Sequence, residues 1–165
     1  MAGKPRTVPQ GHHTATPYLV VSDAAEAIDF YVRAFGAKEV MRVEHDGRIS
    51  HAQIRIGNSR LMLSDEHPEA GVRGPRSFGG SPVRIFLYVA NVDLFVGKAV
   101  ATGAKLHLPV DDKRYGDRSG ILEDPFGHTW HIATHKEDVS PEEIQTRTVA
   151  AHPATLVAGD TVAEQ

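Results

Sequence analysis

Residues 120–135 read GILEDPFGHTWHIATH and place three imidazoles, His128, His131 and His135, within eight positions. Imidazole is the commonest metal ligand and the side chain that titrates nearest neutral pH. The stretch could therefore serve metal chemistry or general acid–base chemistry. Asp124-Pro125-Phe126-Gly127 is turn chemistry: Asp bonds its own backbone two residues on, Pro presets φ, and Gly accepts a positive φ. The residues after the turn alternate in polarity, so they read as a strand whose side chains point to opposite faces in turn. His131 and His135 then share a face but stand roughly 13 Å apart, at ~3.3 Å per residue. His128 points the other way. No pair can share one ion by local geometry, His12 and His13 are adjacent, and no H-E-x-x-H pattern occurs.

The remaining elements must position these groups. A polar arm with Pro5, Pro9 and Gly11 covers residues 1–13, and a strand is expected over 14–22. DAAEAIDFYVRAFG is a helix marked at both ends, with Asp23 and Glu26 as a capping box and Gly36 at the left-handed end position. Ile28, Tyr31, Val32 and Phe35 form its apolar stripe. Strands follow at about 38–45, 49–57 and 60–65, the last two joined at Gly57-Asn58. Residues 67–82 are a Gly/Pro-rich linker. A strand at 83–90, a helix at 91–102 between Asn91 and Gly103, and strands at about 105–111, 117–123 and 128–135 complete a second unit. Ser140-Pro141-Glu142-Glu143 starts a short helix expected to reach about 147, and the segment beyond it has little periodicity and is expected to be mobile.

The bulk numbers exclude several classes. The 165 residues suit one domain with one core, and 41% apolar with 24% charged residues is ordinary globular composition. With a net charge of −3 and no basic run, no nucleic-acid partner is expected. No apolar run approaches the length of a membrane span, so no membrane partner is expected either. MAGKPRTVPQGHHT lacks the apolar stretch of a secretory signal. The absence of cysteine removes disulfides, thiolate metal sites and cysteine nucleophiles, and fits a cytoplasmic location.

LVVSDAAEAIDFYVRAFGAK at 19–38 aligns with LYVANVDLFVGKAVATGAK at 87–105, and both helices end in Gly-Ala-Lys. A repeat of about 70 residues is too long for a solenoid unit and indicates a duplicated βαβββ module. The modules span 14–66 and 83–138, with a C-terminal segment over 139–165. The duplication, the opening YLVVSDAAEAIDFYVRAFGA and the hairpin EDPFGHTW resemble the vicinal oxygen chelate superfamily, which includes glyoxalase I, extradiol dioxygenases, fosfomycin-modifying enzymes and bleomycin resistance proteins. LMLSDEHPEAG and ATHKEDVSPEEI are similar to its PhnB-like subset. The resemblance implies an α+β fold in which two tandem βαβββ modules form a curved, incompletely closed mixed sheet with helices outside. It also implies a ligand cleft on the concave face and a homodimer, with modules pairing either within one chain or across the two. In metal-dependent members, the first and last strand of each module supply one metal ligand each.

The repeat places those four positions. Counting back from the helix starts gives Thr16 and Arg84; counting on from the turns gives His131 and Leu61, or Leu63 if strand parity is kept. Thr16, Leu61, Arg84 and His131 offer one imidazole and a fixed positive charge, which cannot chelate a divalent cation. No metal or other cofactor is therefore expected.

Parity defines the candidate pocket. Strand 49–56 alternates His51, Gln53 and Arg55 against Ala52, Ile54 and Ile56, whose aliphatic face should lie under the helix. The cleft would then combine His51, Gln53, Arg84, Phe86, Tyr88 and His131, with Thr16 at its edge: a mostly apolar cavity with polar anchors. His131 and His51 read as general bases or anchors, or as plain sheet hydrogen-bonding groups. Arg84 reads as an anion clamp, or as the partner of an acid such as Asp65 or Glu123. Phe86 and Tyr88 read as pocket wall or as core, and Tyr115 as a pocket mouth. Glu123-Asp124 reads as turn chemistry rather than an acid–base pair. The first functional reading is metal-independent binding of a small organic molecule. The alternative is a glyoxalase-like lyase or isomerase using His131 or His51 as base, with Arg84 stabilising an anion. A weaker one is a divalent-metal-dependent lyase or dioxygenase.

Overall fold

The structure, a computed structural model, describes residues 6–151. Along the chain come β1 (Tyr18–Val21), α1 (Ala24–Phe35), β2 (Lys38–His45), β3 (Arg48–Ile56) and β4 (Ser59–Asp65). Single 3-10 turns at Pro68–Ala70 and Pro75–Phe78 interrupt the linker. The second unit is β5 (Arg84–Tyr88), α2 (Val92–Thr102), β6 (Lys105–Asp112), β7 (Asp117–Glu123) and β8 (Thr129–His135), followed by α3 (Pro141–Ala150). The fold is α+β, with two mixed four-stranded sheets of order β1-β4-β3-β2 and β5-β8-β7-β6, and no closed barrel. Each sheet pairs its first and last strand in parallel and the others antiparallel.

Both repeated helices are capped as the sequence predicts. The Asp23 carboxylate accepts from Glu26 N at 2.9 Å, and Gly36 adopts φ 65°. Asn91 plays the same part for Leu94 N at 3.0 Å. Such caps contribute about 1 kcal/mol each. Asp65 accepts from Ala24 N and from Ile49 N, both at 2.7 Å, and so ties α1 and β3 to the end of β4.

Two boundaries depart most from the sequence reading. β1 begins at Tyr18 rather than at 14, because the Pro17 carbonyl makes the first bond to the sheet, from Met62 N at 2.9 Å. Thr16 therefore precedes the strand, and its hydroxyl bonds the His13 carbonyl at 2.9 Å. α3 runs past 147 to Ala150, its last turns held where Arg147 pairs with Glu143 and Glu137 at 2.8 and 2.9 Å. The expectations for residues 1–5 and 152–165 lie outside the described residues.

One core joins the modules. Leu19, Val21, Ile54 and Leu63 face α1 from the first sheet; Leu122, Trp130 and Ile132 belong to the same cluster from the second. Phe35 of α1 packs on Trp130 of β8 at 4.8 Å and on Phe95 of α2 at 5.1 Å between ring centroids. Burying each of these large side chains contributes about 1.5–3 kcal/mol. The buried Asp124 carboxylate completes the junction, accepting from Tyr31 Oη at 2.6 Å and Trp130 Nε1 at 2.8 Å. Both sheets turn one face to this shared core; the opposite faces carry the exposed rings of Tyr18, Phe86 and Tyr88.

Candidate functional site

The strand registers decide which residues share those open faces. On the second sheet, Arg84, Phe86 and Tyr88 of β5 stand beside Thr129, His131 and Ala133 of β8, which stand beside Glu123, Ile121 and Ser119 of β7. On the first, Tyr18 stands beside Met62, and Met62 beside Gln53. Among the described residues, no hydrogen bond or ring contact joins the two faces. The predicted pocket therefore divides into two clusters, one on each sheet.

The second-sheet cluster is aromatic. Phe86 lies 4.3 Å from the His131 ring and 5.0 Å from Tyr88 between centroids. Phe86 is 43% exposed and Tyr88 61%, so these rings form an open ledge rather than core. His131 Nε2 meets the buried Ser119 Oγ at 3.0 Å, and Tyr115 Oη lies 3.4 Å from the same hydroxyl. Burial first, then the charges of Arg84 and Lys113, hold the imidazole below its usual pKa against an opposing pull from Asp117. This shift favours the neutral imidazole, a form that can accept a proton or a hydrogen bond. Arg84 pairs with neither Asp65 nor Glu123: Asp65 is committed to backbone amides, and Glu123 faces His107 at 3.4 Å. An open groove of about 550 Å³ runs between Arg84, Thr129, Ile121, Leu108 and Lys105.

Further along the same face, Asp117 is buried and accepts from Tyr88 Oη at 3.0 Å and from His135 Nδ1 at 2.7 Å. The other His135 nitrogen meets Asp138 at 3.0 Å, so both carboxylates hold its pKa above the ordinary value, Asp117 foremost. His128 lies on neither face. Its Nε2 reaches across to the Val20 carbonyl of β1 at 3.0 Å, a link between modules.

The first-sheet cluster is polar and mostly bonded within itself, with the buried Arg60 Nε left unpartnered among the described residues. Arg60 donates to Gln53 Oε1 at 3.0 Å, which turns the Gln53 amide nitrogen toward His51 Nε2 at 3.3 Å. His51 Nδ1 meets Tyr18 Oη at 3.2 Å, so both ring nitrogens are engaged. Above this cluster the arm presses on Arg60: a Cβ on Gly11 would stand 2.8 Å from the Arg60 Nε. A more apolar cleft of about 310 Å³ lies between β1 and the linker, lined by Leu19, Phe78, Val83 and Ile85, with His128 and Arg73 as its charged or titratable lining.

The registers also correct one position. Phe86 pairs with His131, and its repeat partner Tyr18 pairs with Met62. The counterpart of His131 is therefore Met62; Leu61 and Leu63 face α1, fully enclosed in the core. Counting from the turn misplaced the site because the two hairpins close at different offsets from the last strand. The corrected quartet, Thr16, Met62, Arg84 and His131, still offers one imidazole. Among the described residues, no group of three or more His, Asp or Glu side chains could hold a metal ion. The residues present thus do not fit the divalent cation of the metal-dependent members. His135, Asp117 and Asp138 do not either, since the two carboxylates meet opposite ends of the ring.

Ser119, Asp117, Ile121 and Leu108 escaped the sequence reading. Pairing β7 back from the Asp124–Gly127 turn would have placed the first three of them opposite β8. Leu108 would have escaped even that, because a bulge between Leu106 and Leu108 breaks the alternation of β6.

The family model of the glyoxalase/bleomycin resistance protein/dioxygenase superfamily matches residues 10–132. The chain belongs to this superfamily. It is 44% identical over 134 residues to an uncharacterized protein of Mycobacterium bovis, covering 79% of this chain and 88% of that one. A counterpart in Mycobacterium tuberculosis H37Rv is also 44% identical, over 79% of each chain. Among solved structures, TioX from Micromonospora sp. ML1 is similar at 26% identity and a TM-score of 0.59, over 73% of this chain and 98% of that one. A PhnB protein from Bacillus cereus shares the fold at 18% identity and a TM-score of 0.57, over 74% of this chain and 99% of that one. Superfamily membership accounts for the duplicated module; the chemistry must come from this chain's own residues. No helix among the described residues is long and apolar enough to cross a membrane.

Proposed function

We propose that this superfamily member binds a small organic molecule, without a metal, on the outer face of its second sheet. The observation that supports this most directly is the open ring ledge of Phe86, Tyr88 and His131 beside Arg84, which has no ion-pair partner among the described residues. Exposed aromatic surface flanked by a few polar groups is what a small-molecule site presents. A second copy of the chain closes this face: the first sheet offers a complementary surface of Tyr18, Met41, Val43 and His51, and its outer strand β2 is exposed along its length. His51 and Gln53, already bonded to Tyr18 and Arg60, serve as fixed polar wall.

The test is a thermal-shift screen of a small-molecule library on untagged protein, with metal content measured by elemental analysis. A ligand at a hundred times its Kd stabilises by about 2.7 kcal/mol, a clear shift for a chain of this size. Stabilisation that survives in metal-free protein and disappears in Phe86→Ala supports the reading. Stoichiometric transition metal in the purified protein, or stabilisation indifferent to Phe86, overturns it. Sedimentation of a monomer at all concentrations would remove the second copy.

One observation favours a catalytic variant of the same site. His131, positioned by Ser119 and with Arg84 diagonally across on β5 beyond its direct neighbour Phe86, is the arrangement a general base and an anion-stabilising cation require. Turnover of the bound compound, lost in His131→Ala with binding retained, would assign a lyase or isomerase activity.

A further inference from the structure

We propose that the molecule taken by the second-sheet face is a planar monocarboxylate: an aromatic ring system bearing one carboxylate, seated with its anion at the β5 edge. This rests on the reading of that face as the binding site.

Four residues in register form an apolar strip straight across the sheet: Phe86, His131, Ile121 and Leu108. Strands lie about 4.8 Å apart, so the strip is roughly 14 Å long and one side chain wide. A flat one- or two-ring molecule matches that shape, and the Phe86 and His131 rings offer it faces to stack on.

The neighbouring row decides where charge goes. It consists of Arg84, Thr129, Glu123 and Lys105. At its β5 end, no carboxylate among the described residues lies within ion-pair distance of Arg84, and Thr129 adds a hydroxyl beside it. An arginine fork matches the two oxygens of a carboxylate. At the β6 end the row already carries its own anion: Glu123 stands between Thr129 and Lys105 and faces His107. A ligand carboxylate is drawn to Arg84, whereas at the far end Glu123 offsets the charge of Lys105 across the strand pair.

The row on the other side of the strip explains why one carboxylate and not two. Tyr88, Ala133, Ser119 and Asp111 occupy it, with the buried Asp117 beyond. A second anion there would meet Asp117, whose counter-charge is already His135, and Asp111, which faces Lys113 at 3.9 Å.

The experiment compares 2-naphthoate with 2-naphthamide, the same ring without the charge, by titration calorimetry on the full chain at low salt. The wild type should bind naphthoate at least about tenfold more tightly. Arg84→Gln should erase that ratio while leaving naphthamide unchanged. Arg84→Lys, keeping charge but not the fork, should retain part of it. Phe86→Ala should weaken both probes; Arg84 and Phe86 are exposed, so these variants should fold, as circular dichroism will verify. Equal affinity for the two probes, or a ratio that persists in Arg84→Gln, overturns the carboxylate and leaves the binding face standing. Absence of binding by either probe, or binding indifferent to Phe86, overturns both.

Discussion

Replacing Tyr31 by Phe removes one hydroxyl from a buried junction, and its cost can be worked from the contacts. The Asp124 carboxylate is 2% exposed. It is sustained by four donors: Tyr31 Oη at 2.6 Å, Trp130 Nε1 at 2.8 Å, Phe126 N at 2.9 Å and His128 N at 3.0 Å. A hydrogen bond to a charged group contributes about 1.5–3 kcal/mol, and Tyr31→Phe leaves that charge underpaired without opening a large cavity. In a chain of this length, each kcal/mol moves Tm by about 2–4 °C, so the variant should melt about 3–12 °C lower. Asp124→Asn should cost more. Its single oxygen can serve either the backbone amides or the Tyr31–Trp130 pair, and a hydroxyl can turn to accept from the new amide, but the Trp130 N–H cannot. Urea denaturation read by tryptophan fluorescence measures both, with an unchanged slope showing that only stability moved. Because the carboxylate holds the turn that leads into β8, both variants should also weaken ligand binding at His131. A Tyr31→Phe midpoint indistinguishable from wild type would show that the junction does not depend on this hydroxyl, and the account of the module interface would have to be abandoned.

His135 should give stability a pH signature. Its folded pKa is raised above the ordinary 6.5, so its contribution is complete below about 6.5 and is lost as pH rises through the folded value. His135→Gln should therefore destabilise most at acidic pH, and a deficit that grows toward alkaline pH would contradict the assignment. His131 acts in the opposite sense. Its folded pKa is lowered, so its unfavourable burial as a cation should erode stability as pH falls from about 6.5, and His131→Gln should flatten that acid limb in a thermal-melt series. At Gly116, where φ is 95°, a Cβ would stand 2.0 Å from the Glu137 carbonyl oxygen, so Gly116→Ala should cost more than about 2 kcal/mol or free the segment leading to α3 to proteolysis. Exhaustive chelation should leave Tm within about 1 °C of untreated protein, since the described donors cannot hold a metal whose binding would add stability.

Local signals carried most of the architecture. Asp23, Gly36, Asn91 and Gly103 bracket the two helices through contacts within a few residues of themselves, so chain order alone announces them. Alternation in β3 and β8 showed which side of each strand is apolar, and the shared Gly-Ala-Lys endings exposed the duplication. The composition of the repeat-derived quartet was legible as residue types alone, and a guanidinium repels cations in any register. What sequence could not supply was adjacency across strands and between modules. Met62 rather than Leu61 stands opposite His131 in the repeat because hydrogen-bond register, not distance from a turn, sets the face. His51 and His131 fall on separate open surfaces because α1 packs on Trp130 of the other module and places the common core between the sheets. Asp124 serves Tyr31, 93 positions away, as well as its own turn. Periodicity records which side of an element prefers water, whereas partners so distant along the chain are chosen only when the apolar sides of both sheets compete to bury themselves.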